Sequence, residues 1–319
     1  MKVYVLTSRN IERLNWIEQV IPQRETVVVI NSLDPDYGAV ASKWCEERGI
    51  EYHITESDGT PATGKNSVIK LFLESEDEYM VHVDGDDMLT PHGYKLYKAV
   101  AESGKAPDCI CMYRQPSIKP PLRNKVRFDF LLECIENKTL ETEGYRIEYF
   151  STCYPWDKSK MDQSPWQTEE NLYNMFRTEP YNAEPEKAWE WACNRVLYNH
   201  YMKTYSEAGE YMCRMVFFSR KCAELMEYTN ELVIGEDTIQ FLNLKREAGE
   251  GNINMQRRKE KYNPSYLAIR DNESVTLMHG LYNYEWVKPL NKKIKTLKEE
   301  DLLPPRYASL TEFNDGTYL

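Results

Sequence analysis

YMVHVDGDDMLTP, residues 79–91, passes from an apolar run into a turn carrying three aspartates, and this junction decides how the rest of the chain is read. From Tyr79 to Val83 only His82 interrupts the apolar character, the pattern of a strand buried on both faces, and Pro91 opens a helix beyond the turn. In an extended segment the first and third residues of DGDD point the same way. Asp84 and Asp86 therefore present two carboxylates on one side. Such a pair suits a hard divalent cation, Mg²⁺ or Mn²⁺, with ligand phosphates completing its shell. The competing reading is a plain Asp- and Gly-rich turn. Repulsion among three clustered carboxylates argues for the cation.

Working outward, KVYVL at 2–6 and ETVVVIN at 25–31 read as buried strands, and Ile11, Leu14, Ile17 and Ile21 recur between them at helical spacing before Pro22. A helix over 36–48 stops at Gly49, a strand follows at 50–54, a helix runs from about 65 to 75, and strands at 78–83 and 108–113 flank the helix opened by Pro91. This alternation predicts an α/β fold with a mostly parallel sheet flanked by helices. Ligands bind at the carboxyl ends of such strands. There lie Thr7, Ser8 and Arg9 after the first strand, Asn31 and Asp34 after the second, and Asp84, Asp86 and Asp87 after the fourth.

Past residue 113 the sequence turns irregular, Pro-rich and aromatic-rich, with Trp156, Trp166, Trp189 and Trp191 close together. They serve either as core or as a platform for a sugar or base. Regular structure is expected to return with a strand over 212–220, a helix over 221–228, and a short strand leading into a helix at VIGEDTIQFLNLKREA.

A net charge of -11 argues against wholesale binding to nucleic acid or anionic membrane. Local basic runs remain: Lys119, Arg123, Lys125 and Arg127; Arg257, Arg258, Lys259 and Lys261; and five lysines between 288 and 298. Each is either a solvated face or a contact for a phosphate-bearing acceptor. The eight cysteines show no Cys-x-x-Cys pair and read as reduced thiols. No run of about 18 apolar residues occurs, so no membrane insertion is expected, and a first strand beginning at once suggests a cytoplasmic protein.

Taken together, LTSRN at the end of the first strand, VINSLD at the end of the second, Gly-Lys-Asn-Ser at 64–67, YMVHVDGDDMLTP and the later IGEDT at 234–238 resemble the GT-A (Rossmann-like) glycosyltransferases, in particular the family-2-like inverting enzymes. The resemblance covers roughly 1–115 and 210–245. It implies a catalytic domain over 1–285, divided at 113 into a nucleotide-sugar-binding half and an acceptor-side half with an aromatic-rich insertion, followed by a basic segment and tail over 286–319. It implies a nucleotide-sugar donor, a UDP-sugar before others, and a hydroxyl acceptor, either a saccharide or a hydroxymethylated base in phage DNA.

By the same resemblance, Thr7, Arg9, Asn31 and Asp34 would line the nucleoside pocket, Lys65 or Asn66 would reach the pyrophosphate or base, and Asp84 would contact ribose or metal. Asp86 would ligate the metal, with His279 as a further ligand. Glu236 and Asp237 match the catalytic acidic motif, with Asp237 as general base. Asn31 and Asp34 stand where the family carries paired acids, which leaves the base open. Helix capping is the plain alternative for Asp237.

Two other classes compete. Gly59-Thr-Pro-Ala-Thr-Gly64-Lys65 approaches a phosphate-cradling P-loop of a nucleotide hydrolase or kinase, although Asn66 replaces the hydroxyl that would hold Mg²⁺. An inactive sugar-binding module is the other, opposed by the retained Asp84, Asp86 and Asp237.

Overall fold

A computed structural model describes residues 1–112, 115–119, 128–140, 142–150, 214–228, 236–258, 264–269, 308 and 310–319. Trp156, Trp166, Trp189, Trp191, His279, Gly235 and the lysines between 288 and 298 lie outside the described residues.

The N-terminal half alternates as expected: β1 (Lys2–Thr7), β2 (Thr26–Asn31), β3 (Glu51–Thr55), β4 (Tyr79–Asp84) and β6 (Cys109–Met112) are joined through α1 (Ile17–Val20), α2 (Pro35–Arg48), α3 (Pro61–Glu74) and α4 (Pro91–Glu102). Later come β9 (Met215–Ser219), α6 (Arg220–Ala223), α7 (Glu236–Gly249), β10 (Met255–Arg258) and β12 (Thr311–Phe313). Eight strands form one sheet in the order β12-β10-β6-β9-β4-β1-β2-β3. Every pairing in it is parallel except those of β9, which runs antiparallel between β4 and β6. The predicted α/β class and the mostly parallel sheet are thus observed.

Successive residues of the central strands feed two cores. Val3, Val5, Val28, Ile30, Val81 and Val83 pack with Trp16, Ile17, Trp44, Leu96 and Tyr97, on the face carrying α1, α2 and α4. Tyr4, Val27, Val29 and Met80 pack with Val68, Ile69, Phe72 and Leu244, on the face carrying α3 and α7. Strict alternation with both faces covered explains why these strands read as unbroken apolar runs.

Three helices begin with a capping residue followed by proline: Asp34-Pro35, Thr60-Pro61 and Thr90-Pro91, each cap side chain accepting a backbone N–H of the first turn. This corrects the expected start of α3 near Lys65, which lies in its second turn. It also removes the P-loop reading, because 61–64 are helix and form no phosphate-cradling loop. The C-terminus of α3 is held by Arg220, whose guanidinium donates to the carbonyls of Leu73 at 2.7 Å, Phe72 at 3.3 Å, Ser75 at 2.5 Å and Asp77 at 3.0 Å. The single helix expected over 11–21 is instead a 3-10 turn, Ile11–Leu14, and the short α1.

A second, four-stranded sheet was not foreseen. It has the order β5-β11-β7-β8, built from Asp87–Leu89, Tyr266–Ile269, Gln115–Lys119 and Arg146–Phe150, with α5 (Phe128–Asn137) between β7 and β8 in the chain. The Asp-rich turn therefore joins two sheets, since Asp84 ends β4 and Asp87 begins β5.

The C-terminal turn Asp315–Thr317 is tied to the main sheet by Arg258, which is 2% exposed and donates to both Asp315 oxygens at 2.8 and 2.9 Å; His92, in the first turn of α4, lies 2.6 Å from Asp315 Oδ2. Arg257 donates to Glu312 at 2.6 Å. Two of the four cations in this run are thus paired along the β10–β12 edge, and Lys259 and Lys261 lie outside the described residues. Burial works against Asp315 ionisation, but its bonds to Arg258 and His92 hold its carboxyl below the usual range. Its contribution is therefore complete above about pH 4, the value in an unfolded chain, and is lost as pH falls below that through the lowered native value. Asp315→Asn is expected to cost about 1–3 kcal/mol near neutral pH. The difference from wild type should shrink in urea unfolding toward pH 3; a constant difference from pH 3 to 7 would contradict this role.

Candidate active site

The site lies where the strand order reverses, at the carboxyl ends of β1 and β4, the crevice in which open α/β sheets bind ligands. In the parallel pairing Leu6 stands opposite Asp84. The chain crosses so closely there that a Cβ on Gly85 would meet the Leu6 carbonyl oxygen at 2.4 Å. Only glycine fits, and the tight turn it permits carries Asp84, Asp86 and Asp87 to one place: one carboxylate oxygen from each lies within 4.8 Å of the others.

Asp87 is buried, and its Oδ2 accepts from the Tyr266 hydroxyl at 2.8 Å. That hydroxyl also accepts from the Asp84 backbone N–H at 3.2 Å and from Arg214 Nη2 at 3.0 Å, so its one donor and both acceptor positions are used. Burial pushes the Tyr266 phenol well above its usual value and keeps it a donor. The second sheet is pinned to the Asp-rich turn through this tyrosine.

The remaining partners arrive from distant sequence. Lys65 on α3, 3% exposed, places Nζ 2.6 Å from Glu236 Oε1, 2.6 Å from Asp237 Oδ1 and 3.8 Å from Asp84 Oδ2. Arg214, just before β9, places Nη2 2.5 Å from Asp84 Oδ2 and 3.8 Å from Asp87 Oδ2, and Nη1 3.4 Å from Asp237 Oδ2. Burial opposes the Lys65 charge, yet Asp237, Asp84 and Glu236 hold its ammonium well above the ordinary value. Burial likewise opposes ionisation of Asp84, but Arg214, Lys65 and His82 hold its carboxyl far below the usual range. Glu236 is moved up, because burial outweighs its bond to Lys65.

His82, buried on β4, is pushed down to about 4 by burial and is neutral at neutral pH. Its Nε2 lies 3.3 Å from Asp84 Oδ1, and neither atom has a hydrogen-bond partner among the described residues. An orphaned, buried carboxylate oxygen beside two further carboxylates is a donor set that fits a hard divalent cation.

The sequence-based candidates thus divide. Lys65, Asp84, Asp86, Glu236 and Asp237 come together, Glu236 and Asp237 from the first turn of α7. Asn66 is committed to the scaffold, its amide exchanging two 2.8 Å bonds with the Tyr228 backbone. Asn31 donates to Thr55 Oγ1 at 2.9 Å and to the Glu56 carbonyl at 2.7 Å, joining the ends of β2 and β3. Asp34 caps α2, the Thr7 hydroxyl bonds to that of Tyr37, and Arg9 is half-buried after β1. Arg214, Tyr266 and His82 escaped the sequence reading, and Asp87 was placed with the other two aspartates but given no role of its own. A charge opening the apolar run MVFFS and a histidine inside YMVHV were the only signals.

No family model and no curated protein matches the chain. Solved structures that resemble it include S. aureus TarS 1-349 in complex with UDP-GlcNAc, 14% identical over 95% of this chain and 69% of that one, with a TM-score of 0.44. The mannosyltransferase PcManGT from Pyrobaculum calidifontis, in complex with GDP-Man and Mn²⁺, is 12% identical over 94% of this chain and 67% of that one, with a TM-score of 0.42. S. aureus TarS itself is 13% identical over 86% of this chain, which spans only 37% of its length, with a TM-score of 0.41. These likenesses are too distant to say what this chain binds. Among the described residues no helix is long and apolar enough to cross a membrane.

Proposed function

We propose that the chain is a metal-dependent glycosyltransferase that moves a sugar, with inversion, from a nucleotide-sugar to a hydroxyl acceptor. The observation that carries this is the convergence of the Asp84, Asp86 and Asp87 cluster with Glu236 and Asp237 at the carboxyl ends of β1 and β4, joined by Lys65 and Arg214. Asp84, Asp86 and Asp87 would hold Mn²⁺ or Mg²⁺, with His279 as a further candidate. The bound ion would neutralise the diphosphate leaving group.

The chain's own groups account for the proton. The acceptor hydroxyl oxygen forms a bond to the sugar C1 as the bond from C1 to the nucleotide diphosphate breaks, its electron pair leaving with the diphosphate. The hydroxyl proton passes to Asp237. Of that carboxylate's oxygens, Oδ1 is bonded to Lys65 at 2.6 Å, and Oδ2, whose contact with Arg214 is longer at 3.4 Å, would take the proton. Lys65 keeps the α7 acids seated against α3. A UDP-sugar is the first donor to try, and the acceptor is a saccharide or a hydroxymethylated base. Thr7 and Arg9 would line the nucleoside side, with Asn31 and Asp34 shaping it through their bonds to the end of β3 and the start of α2.

A thermal-shift screen of UDP-GlcNAc, UDP-glucose and GDP-mannose, with and without Mn²⁺, tests the reading. A donor at about a hundred times its Kd should raise Tm by several degrees, roughly 5 °C, only when Mn²⁺ is present. Asp86→Ala should abolish that shift and all nucleotide release. A shift with no turnover of any donor would favour a binding module, and no shift with any donor would refute the proposal.

A further inference from the structure

We propose that Arg214 is a built-in counter-ion that fills the acidic cluster when no metal is bound and competes with the divalent cation for Asp84 and Asp87. The inference rests on reading that cluster as a cation site and adds how the site is regulated.

The backbone delivers this arginine deliberately. β9 pairs with β4 as far as Phe217 opposite Val81, its register against β6 shifts between Phe217 and Met215, and Arg214 just before the strand reaches Asp84 through its guanidinium. The Arg214 carbonyl accepts from the Met112 N–H at 2.8 Å, which ties the main chain there to the end of β6. Nη2 then sits 2.5 Å from Asp84 Oδ2 and 3.8 Å from Asp87 Oδ2, between two of the three carboxylates that converge. Metal–oxygen bonds to Mg²⁺ are about 2.0–2.1 Å. A divalent ion held by these carboxylates would lie within a few ångström of the guanidinium, and two positive charges that close repel, so each weakens the other's hold on Asp84 and Asp87.

Nη2 also donates to the Tyr266 hydroxyl at 3.0 Å, but the arginine's fit to the carboxylates is incomplete, which makes it the displaceable partner there. Nη1 reaches Asp237 Oδ2 only at 3.4 Å, Nε is buried without a hydrogen-bond partner among the described residues, and Asp84 Oδ1 beside His82 Nε2 is likewise unsatisfied. A guanidinium is a planar fork that pairs best with two parallel acceptors. Here it faces carboxylates from three positions, whereas a spherical divalent ion accepts oxygens from several directions. Once released, the fork is free to pair with an anionic diphosphate. Metal and donor should therefore strengthen each other's binding, because both favour the arginine released from the carboxylates.

The test uses the full chain without nucleotide, so it is independent of whether any sugar donor binds. Mn²⁺ affinity is measured by the loss of the free-ion electron paramagnetic resonance signal on titration. Arg214→Gln should bind Mn²⁺ about tenfold or more tightly than wild type, since a buried positive charge next to the ligands has gone. Arg214→Lys should stay near wild type. Equal or weaker binding by Arg214→Gln overturns the proposal, as does an absence of Mn²⁺ binding in both proteins.

If Arg214→Gln fails to fold, wild-type protein decides. The arginine Nε–H resonance that is missing from Arg214→Lys should shift when saturating Mg²⁺ is added, and no shift while Mg²⁺ binds overturns the proposal. Failure of the glycosyltransferase reading would look different, with Mn²⁺ bound and displaced as described but no nucleotide-sugar raising Tm.

Discussion

Asp237→Asn is expected to lower nucleotide release from the sugar donor by about 10²–10⁴-fold, the contribution of a positioned general base, while the protein still binds donor with Mn²⁺. The substitution keeps the shape of the side chain and leaves an oxygen for Lys65, whose 2.6 Å bond to Glu236 holds the helix in place. What it removes is the ability to take a proton from the acceptor hydroxyl or from water. Single-turnover release and the Mn²⁺-dependent thermal shift separate the two effects. Release within a few-fold of wild type would refute the base assignment and leave Asp237 as a helix-terminus acid.

Lys65→Met should destabilise the protein by about 3–5 kcal/mol, the usual cost of removing one partner from a buried ion pair. Methionine matches the volume of the lysine stem, so packing against α3 neighbours is kept and the loss is electrostatic. Glu236, 5% exposed, would then be buried without the ammonium that holds it, and its carboxyl, already raised by burial, would rise further. A carboxyl with a native value above its unfolded one destabilises at higher pH and relents as pH falls. The variant should accordingly lose less relative to wild type at pH 5 than at pH 8 in urea unfolding. Adding Glu236→Gln should restore part of the loss; if Lys65→Met unfolds like wild type at both pH values, the central role of this bridge is wrong.

Much of the fold was legible because it is locally encoded. The valine and isoleucine runs of β1, β2 and β4 are buried on both faces and had to read as unbroken apolar strands. Gly49, with φ +61°, ended α2 where a left-handed residue was needed. The start of α3 was missed by four residues because Thr60-Pro61 was taken as part of a glycine-rich loop, although the pair carries a cap and a preset φ. The second sheet was invisible for a different reason. β5 has three residues, and β7 contains Pro116, too little periodicity to announce a strand.

The site divides in the same way. By itself the sequence determined that two carboxylates one residue apart follow a buried strand, that a glycine separates them, and that a Glu-Asp pair opens a later helix. Residue type and the end of an apolar run are enough for that, but Gly85 and Asp86 form a turn, so the aspartates converge through that turn and not through the alternation of an extended chain. Only the tertiary structure decided that these acids, with Lys65 172 positions from Asp237, share one cluster. It alone brought Arg214 across on an antiparallel strand and Tyr266 from a second sheet, and it turned Asn31, Asp34 and Asn66 toward the scaffold. Coulomb attraction between buried charges depends on distance in space and has no period along the chain, so no pattern in the sequence could have disclosed those partners.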